Sequence, residues 1–171
     1  MAKNRPLTIN GWKIYAHPLF LSQFEELLAI VENLREKNPE TYRSKNATKR
    51  LAAIAKLALE IIPLDPTRTE YRQGKTLGKD YKHWFRAKFF QQYRLFFRYH
   101  QDSKIIVYAW VNDQKSKRAY LSKTDAYKVF EKMLDNGNPP DDWDSLLLAA
   151  KKEEKRLSKI VRTQKSDSES N

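Results

Sequence analysis

The stretch from residue 84 to residue 112 alternates between apolar side chains and polar or charged ones, and this alternation most restricts the possible fold. A period of two places successive side chains on opposite faces of a β-strand. Short polar pairs, Gln91-Gln92 and Asp102-Ser103, interrupt the alternation and would serve as tight turns. The pattern therefore predicts an antiparallel meander of three strands: Trp84–Phe90, Tyr93–His100 and Lys104–Asn112.

Helical spacing flanks these strands on both sides. Apolar residues recur every three to four positions from Pro18 until Asn38-Pro39, and again from residue 47 until Pro63, which predicts a helical hairpin. After the strands, Thr124 or Ser122 would cap a helix that runs through Leu134, with Gly137 at its C-cap. Asp142 would start a last helix, whereas residues 1–17 are predicted to be irregular or extended. The order of elements indicates an α+β fold.

The length of 171 residues suits one domain, which we expect to span residues 1–150. Residues 151–171 lose apolar content and become basic and then polar. This segment is predicted to be a tail, partly helical and then frayed beyond about residue 160.

Positive charge is concentrated on the predicted strands. The net charge is +12, and no acidic residue lies between Asp80 and Asp102. Such a balance favours a polyanionic partner. One face of the strands would carry both cations, which can hold phosphates, and aromatic rings, which can stack bases. The cations are Arg86, Lys88, Arg94 and Arg98, and the aromatic residues are Trp84, Phe96, Tyr108 and Trp110. The alternative is a solvated outer face with cation–π contacts.

Several other classes of site have no support in the sequence. The absence of cysteine excludes disulfides, thiol nucleophiles and Cys-ligated zinc. The segment GKTLGK at residues 74–79 lacks the first glycine of a phosphate-binding loop, because that position is Thr69. We expect a flexible basic loop there instead, whose Lys75 and nearby Lys82 could contact a phosphate backbone.

The three histidines, His17, His83 and His100, are not spaced as metal ligands, so no metal site is predicted. The first residues lack the apolar run of a signal peptide, and no apolar run approaches the ~20 residues of a membrane span. We expect a soluble, cytoplasmic protein that does not bind membranes.

The segment after the third strand holds further candidates, because strand ends and adjoining loops often carry sites. They are Arg118, Tyr120, Lys123, Asp125 and Tyr127, which follow Asn112-Asp113. The alternative interpretation makes Asp113 a turn residue, Asp125 an acid in the first turn of a helix, and Tyr127 a core residue.

Six segments, in this order, resemble the YhaV family of toxins from bacterial type II toxin–antitoxin systems: NGWKIYAHPLF, YRQGKTLG, YRLFFRY, WVND, KTDAYKVFEKML and NGNPPDDW. The resemblance extends from about Asn10 to Leu147. It implies a RelE-like fold, with an N-terminal helical hairpin packed on a small antiparallel sheet followed by C-terminal helices. The W-x-R…YR pattern of that wider group is similar to Trp84-Phe85-Arg86 and Tyr93-Arg94.

Membership would imply an mRNA-cutting endoribonuclease that is associated with the ribosome, inhibits translation and needs no metal or other cofactor. The resemblance implies catalytic roles for Arg86 and Arg94, with Lys88, Arg118 and Tyr120 as further candidates. RNA-binding roles are predicted for six residues: Trp84, Lys75, Lys82, Arg98, Lys123 and Tyr127. The general acid and base stay unassigned between a histidine and a lysine.

The implied partners are mRNA, the ribosome and an antitoxin of the PrlF type with an AbrB-like fold. The toxin–antitoxin complex would also bind promoter DNA. Two alternative functions stay open at this point: a non-catalytic module that binds RNA or the ribosome, and a gyrase poison like the toxins of the ParE branch.

Overall fold

The computed structural model of this protein describes residues 5–113 and 125–169, with side chains as far as residue 164. Its strands are β1 (Thr8–Ile9), β2 (Trp12–Ala16), β3 (Phe85–Phe89), β4 (Tyr93–His100) and β5 (Ile105–Val111). Its helices are α1 (Pro18–Lys37), α2 (Asn46–Lys56), α3 (Ala126–Asp135), α4 (Trp143–Lys151) and α5 (Glu154–Glu169). The fold is α+β, as predicted.

The strands form one five-stranded sheet in the order β1-β2-β5-β4-β3. The predicted meander of β3, β4 and β5 is confirmed, since both of its strand pairs are antiparallel. The prediction of a purely antiparallel sheet is wrong, because β2 pairs with β5 in parallel. Residues 1–17, predicted to be irregular or extended, contain β1 and β2, and the parallel partner of β2, β5, lies about ninety residues later in the chain.

The hairpin of β1 and β2 does have a local signal. Asn10 and Gly11 both have positive φ, at 51° and 82°, and they join the paired residues Ile9 and Trp12. An Asn-Gly pair between short apolar segments is the strongest short-range hairpin signal in a sequence. This dipeptide could therefore have revealed the two N-terminal strands.

Both faces of the sheet are buried. On one face α1, α2 and α5 pack against residues such as Phe97 and Tyr108, and on the other α3 and α4 cover Phe96 and Trp110. A β-bulge in β5 places Tyr108 and Trp110 on opposite faces of the sheet. Phe96 pairs with Trp110, while the next residue, Phe97, pairs with Tyr108. The prediction of one open cationic and aromatic face is wrong, and Tyr108 lies on the opposite side from Trp110.

Helix α5 continues the fold past the predicted domain end at residue 150. Its Leu157, Ile160 and Val161 are buried in the core beneath α1 and α2. Arg156 also donates hydrogen bonds to Glu25 and Ser22 on α1. The helix itself extends from Glu154 to Glu169.

Local caps fix the helix that borders the candidate site. The Asp125 carboxylate accepts a hydrogen bond from the backbone N–H of Tyr127, so Asp125 is the N-cap of α3. The predicted caps, Ser122 and Thr124, lie outside the described residues. Asp142 caps α4 as predicted, and its carboxylate accepts from the backbone N–H of Ser145.

Candidate active site

Two arginines on adjacent strands meet at one tyrosine. Nε of Arg86 on β3 donates to Oη of Tyr127 at 2.9 Å, and Nε of Arg94 on β4 donates to the same oxygen at 3.2 Å. We call Arg86, Arg94 and Tyr127 the arginine–tyrosine cluster. It lies where the outermost strand, β3, meets the first turn of α3.

Packing fixes the position of Tyr127. Its ring is buried and makes an edge contact with Phe96, with ring centroids 5.6 Å apart. The cap at Asp125 holds the backbone of Tyr127 from the other side. The phenol oxygen is therefore a fixed acceptor that sets the orientation of both guanidinium groups.

Arg94 is nearly buried, with 7% of its surface exposed. Its Nη1 donates to the carbonyl oxygens of Gln91, at 2.7 Å, and Tyr93, at 2.9 Å. Its backbone N–H donates to Oδ1 of Asn112 at 2.6 Å, which ties β4 to the end of β5. Arg94 is thus a rigid, buried positive charge within the cluster.

Arg86 is more accessible than Arg94. Its Nη1 donates to the carbonyl oxygen of Glu70 at 2.5 Å, so the side chain is anchored at both Nε and Nη1. Lys88, two residues along β3, is exposed and lies opposite Arg94 in the strand register. Arg86 and Lys88 therefore present cationic groups at the rim of the buried Arg94.

The cations of this site are held mainly by neutral acceptors among the described residues. In the part of the chain that the structure describes, no Asp or Glu forms an ion pair with Arg86, Lys88 or Arg94. Arg86 and Lys88 also line an open groove of about 410 Å³ beside the β3 edge, together with Arg72 and with Glu70, whose carboxylate pairs with Arg68. Grouped cations without counter-ions, held by neutral acceptors, suit an anion such as a phosphate.

Two other predicted RNA-binding residues have partners within the protein. The Trp84 ring is fully buried, and its Nε1 donates to Oδ1 of Asp141 at 2.7 Å, so the prediction that this ring lies on an open face is wrong. Arg98 lies between Trp84 and Trp143, at 5.5 and 5.3 Å from the ring centroids. Arg98 thus makes the intramolecular cation–π contacts of the alternative interpretation.

The basic loop is more ordered than the sequence suggests. Gln73 is buried, and its side chain bonds both the backbone N–H of Leu77 and the carbonyl oxygen of Tyr81. Leu77 itself is fully buried, so the segment is anchored rather than flexible. Lys75 and Lys82 are exposed on it.

The three histidines form hydrogen bonds with residues outside the arginine–tyrosine cluster. Nε2 of His83 contacts Oδ1 of Asp141 at 2.5 Å, while Nδ1 of His100 contacts Oγ of Ser103 at 2.7 Å. His17 is the N-cap of α1, and desolvation lowers its pKa to about 4. Within residues 5–113 and 125–169, no three His, Asp or Glu side chains group as metal ligands.

The remaining predicted residues, Arg118, Tyr120 and Lys123, lie outside the described residues. The sequence predicts only that Asn112 lies at the end of a strand. In the structure its side chain forms hydrogen bonds with the backbone of both Arg94 and Gln92. The sequence signal for this positioning role is a polar side chain directly after a fully apolar strand. No described helix is long and apolar enough to cross a membrane.

Comparison with known proteins assigns the chain to a family. Residues 14–151 match the model of the YhaV toxin family, described as a toxin with endonuclease activity, of a toxin–antitoxin system. The chain is 48% identical over 143 residues to "Ribonuclease toxin YhaV" of Escherichia coli strain K12 and to "Toxin YhaV" of Escherichia coli O6:H1. Each alignment covers 82% of this chain and 93% of the relative. No solved structure matches significantly.

The family model and the two relatives indicate the same family. An endonuclease activity also agrees with the cationic site at the sheet edge. Membership in a toxin–antitoxin system also implies a cognate antitoxin. The chain belongs to the YhaV family of endonuclease toxins.

Proposed function

We propose that this toxin is a ribonuclease that cleaves mRNA at the arginine–tyrosine cluster. The observation that carries the proposal is a pair of guanidinium groups held on one phenol oxygen, without a counter-ion among the described residues, in a chain of an endonuclease family. The name of the K12 relative, "Ribonuclease toxin YhaV", supports RNA as the substrate.

The proposed reaction is attack of an RNA 2′-hydroxyl oxygen on the adjacent phosphorus. The P–O5′ bond breaks, which leaves a 2′,3′-cyclic phosphate and a 5′-hydroxyl, and the proton lost from the 2′-oxygen is balanced by one gained at the 5′-oxygen. Negative charge grows on the phosphate oxygens in the transition state. Fixed cations oriented before the reaction stabilise that charge without reorganisation.

The geometry supports a division of roles within the site. Arg86 is partly exposed and anchored at two atoms, so it is suited to contact the scissile phosphate. Lys88 adds a mobile ammonium group beside it. Arg94 is nearly buried, so we assign it a supporting role: its charge raises the local potential, and it fixes Tyr127 and the neighbouring turn.

The proposal extends to the biological setting. We infer association with the ribosome, inhibition of translation, a PrlF-like antitoxin, and promoter binding by the toxin–antitoxin complex. The net charge of +12 supports contact with ribosomal or messenger RNA. The α+β architecture supports a RelE-like relationship, with the two N-terminal helices on one side of the sheet.

The test is induced expression of the chain with and without the adjacent gene, followed by primer extension on cellular mRNA. New 5′ ends are expected only without the neighbour, and Arg86→Ala should abolish them. Lys13→Ala is the matched control, since Lys13 is an exposed strand cation on β2, far from the cluster in the sheet order. Growth arrest without new 5′ ends, or full cleavage by Arg86→Ala, would contradict the proposal.

A further inference from the structure

The turn between β3 and β4 has an unusual backbone. Phe90 and Gln91 have φ values of 45° and 61°, although neither residue is a glycine. The backbone N–H of Gln92 donates to the carbonyl oxygen of Phe90 at 2.6 Å, which closes a three-residue turn around Gln91. Turns of this type with positive φ are rare and strained, and such strain persists only where surrounding contacts hold it.

The contacts that hold this turn come from the candidate site. Nη1 of Arg94 donates to the carbonyl oxygen of Gln91 at 2.7 Å. Nδ2 of Asn112 donates to the carbonyl oxygen of Gln92 at 2.9 Å, while Oδ1 of Asn112 accepts from the backbone of Arg94. The buried arginine that binds Tyr127 therefore also fixes the backbone that carries Phe90.

The Phe90 side chain is exposed to an unusual degree. Half of its surface, 50%, is accessible, whereas the neighbouring Phe89 is buried and stacks on Tyr93 at 5.3 Å. The other large apolar residues exposed among the described ones lie on other elements: Ile30, Leu64 and Leu148. The Phe90 ring meets the buried Phe89 ring edge-on, with centroids 5.6 Å apart, and the other exposed apolar residues named here do not extend it into a larger patch.

We propose that Phe90, which directly follows the strand that carries Arg86 and Lys88, is a stacking platform for a nucleobase of single-stranded RNA. The inference rests on the proposed ribonuclease function and adds a base-binding subsite to it. Single-stranded nucleic acids bind where cations follow the backbone and exposed aromatic rings stack the bases. A protein partner would favour a broader apolar surface than one half-exposed ring.

The strained turn gives a physical reason for this arrangement. A large ring at positive φ lowers stability relative to glycine, and its edge contact with Phe89 still leaves half of its surface exposed. The bond from Arg94 to the carbonyl oxygen of Gln91 holds the turn that keeps the ring at this position. A base stacked there would orient the neighbouring phosphate toward Arg86 before any chemistry takes place.

The test uses single-stranded RNA oligonucleotides that carry 2-aminopurine at successive positions and 2′-O-methyl groups, so that they cannot be cleaved. Stacking on the wild-type protein should quench the fluorescence of one 2-aminopurine. Phe90→Gly removes the ring and suits the positive φ, so it should fold; it should lose that quenching and bind roughly tenfold more weakly. Phe90→Tyr should keep both properties.

The outcomes separate the two proposals. Unchanged quenching and affinity in Phe90→Gly would overturn the stacking platform, even if the wild type cleaves mRNA. Wild-type protein that produces no new mRNA ends would contradict the proposed function, whereas the uncleavable probe still reports on Phe90. If Phe90→Gly keeps its RNA binding but escapes neutralisation by the adjacent gene, Phe90 contacts the antitoxin and the inference is wrong.

Discussion

Arg86 and Tyr127 are 41 positions apart in the chain, yet Nε of Arg86 donates a 2.9 Å hydrogen bond to the phenol oxygen of Tyr127. The same oxygen accepts from Arg94 at 3.2 Å. One neutral acceptor thus holds two like charges close together in spite of their mutual repulsion. The alignment depends on α3, so the site exists only when α3 is packed on its face of the sheet.

Tyr127→Phe removes this acceptor and preserves the ring that packs on Phe96. We expect mRNA cleavage to fall by about 10²-fold, because both guanidinium groups lose their fixed orientation. Stability should fall by about 1–3 kcal/mol, since a nearly buried Arg94 donor loses its partner. Cleavage rates and urea unfolding measure the two effects.

Tyr71→Phe is the matched control for Tyr127→Phe. The Tyr71 hydroxyl is buried and has no hydrogen-bond partner within the described residues. Its removal should leave cleavage unchanged and should not lower stability, because no hydrogen bond is lost. Wild-type cleavage by Tyr127→Phe would show that the phenol oxygen does not position the arginines.

Arg98→Met should act on stability rather than on a contact with RNA. The guanidinium group packs between Trp84 and Trp143 and donates to the carbonyl oxygen of Asp141 at 2.5 Å. Loss of these contacts should cost about 2–3 kcal/mol. The thermal midpoint should then fall by roughly 5–10 °C.

The control for Arg98→Met is Arg68→Met, because Arg68 forms an exposed ion pair with Glu70. Such pairs contribute roughly 0–1 kcal/mol, so its melting curve should nearly match that of the wild type. An Arg98→Met protein that melts normally but binds RNA weakly would instead support the predicted RNA-binding role of Arg98.

Stability should depend on pH through His17. Desolvation lowers the pKa of the folded His17 side chain to about 4, below its ordinary value of 6.5. Between these values the unfolded chain binds more protons than the folded one, so stability falls as pH falls from 6.5 toward 4. The loss should be roughly 2 kcal/mol, less than the full pKa difference because solvent screens part of the effect.

His17→Asn isolates this effect, because asparagine is a good N-cap without a titrating group. His17 caps α1 through Nδ1, which accepts from the backbone N–H of Leu19 at 3.1 Å. Urea unfolding at pH 7 and pH 4.5 should show a smaller loss of stability in the variant than in the wild type. Equal losses would mean that other groups control the acid response.

Gln91→Gly should stabilise the protein by about 1 kcal/mol, because glycine adopts positive φ without steric cost. The φ of Gln91 is 61°, and the Arg94 contact uses its carbonyl oxygen, which glycine retains. Chemical denaturation measures the gain. A loss of stability would show that the Gln91 side chain contributes more than the relieved strain.

Ile160→Ala tests whether α5 is part of the folded domain. Ile160 is buried against the core that α1 and α2 form, so its truncation should cost about 2–4 kcal/mol. The adjacent Lys159 is exposed, and Lys159→Ala should cost less than about 0.5 kcal/mol. Similar melting curves for both variants would agree with a tail that lies outside the fold.

The sequence by itself determined the elements whose signals are local. Helix α1 begins at Pro18 and ends at Lys37, beside the predicted stop at Asn38-Pro39, because proline and apolar spacing act over a few residues. The three central strands follow from alternation, and Asp142 follows from the preference of N-caps for a short acceptor. The sequence also pointed to Arg86, Arg94 and Tyr127 as separate candidates.

Only the tertiary structure decided which faces are buried and which side chains meet. The pairing of β2 with β5 and the bulge beside Trp110 depend on contacts between distant segments, and a shift of one residue reverses the faces of a strand. Trp84 is therefore buried although it follows the pattern of an exposed face. The meeting of two arginines at Tyr127 likewise required helix α3 to lie across the sheet, which no local pattern specifies.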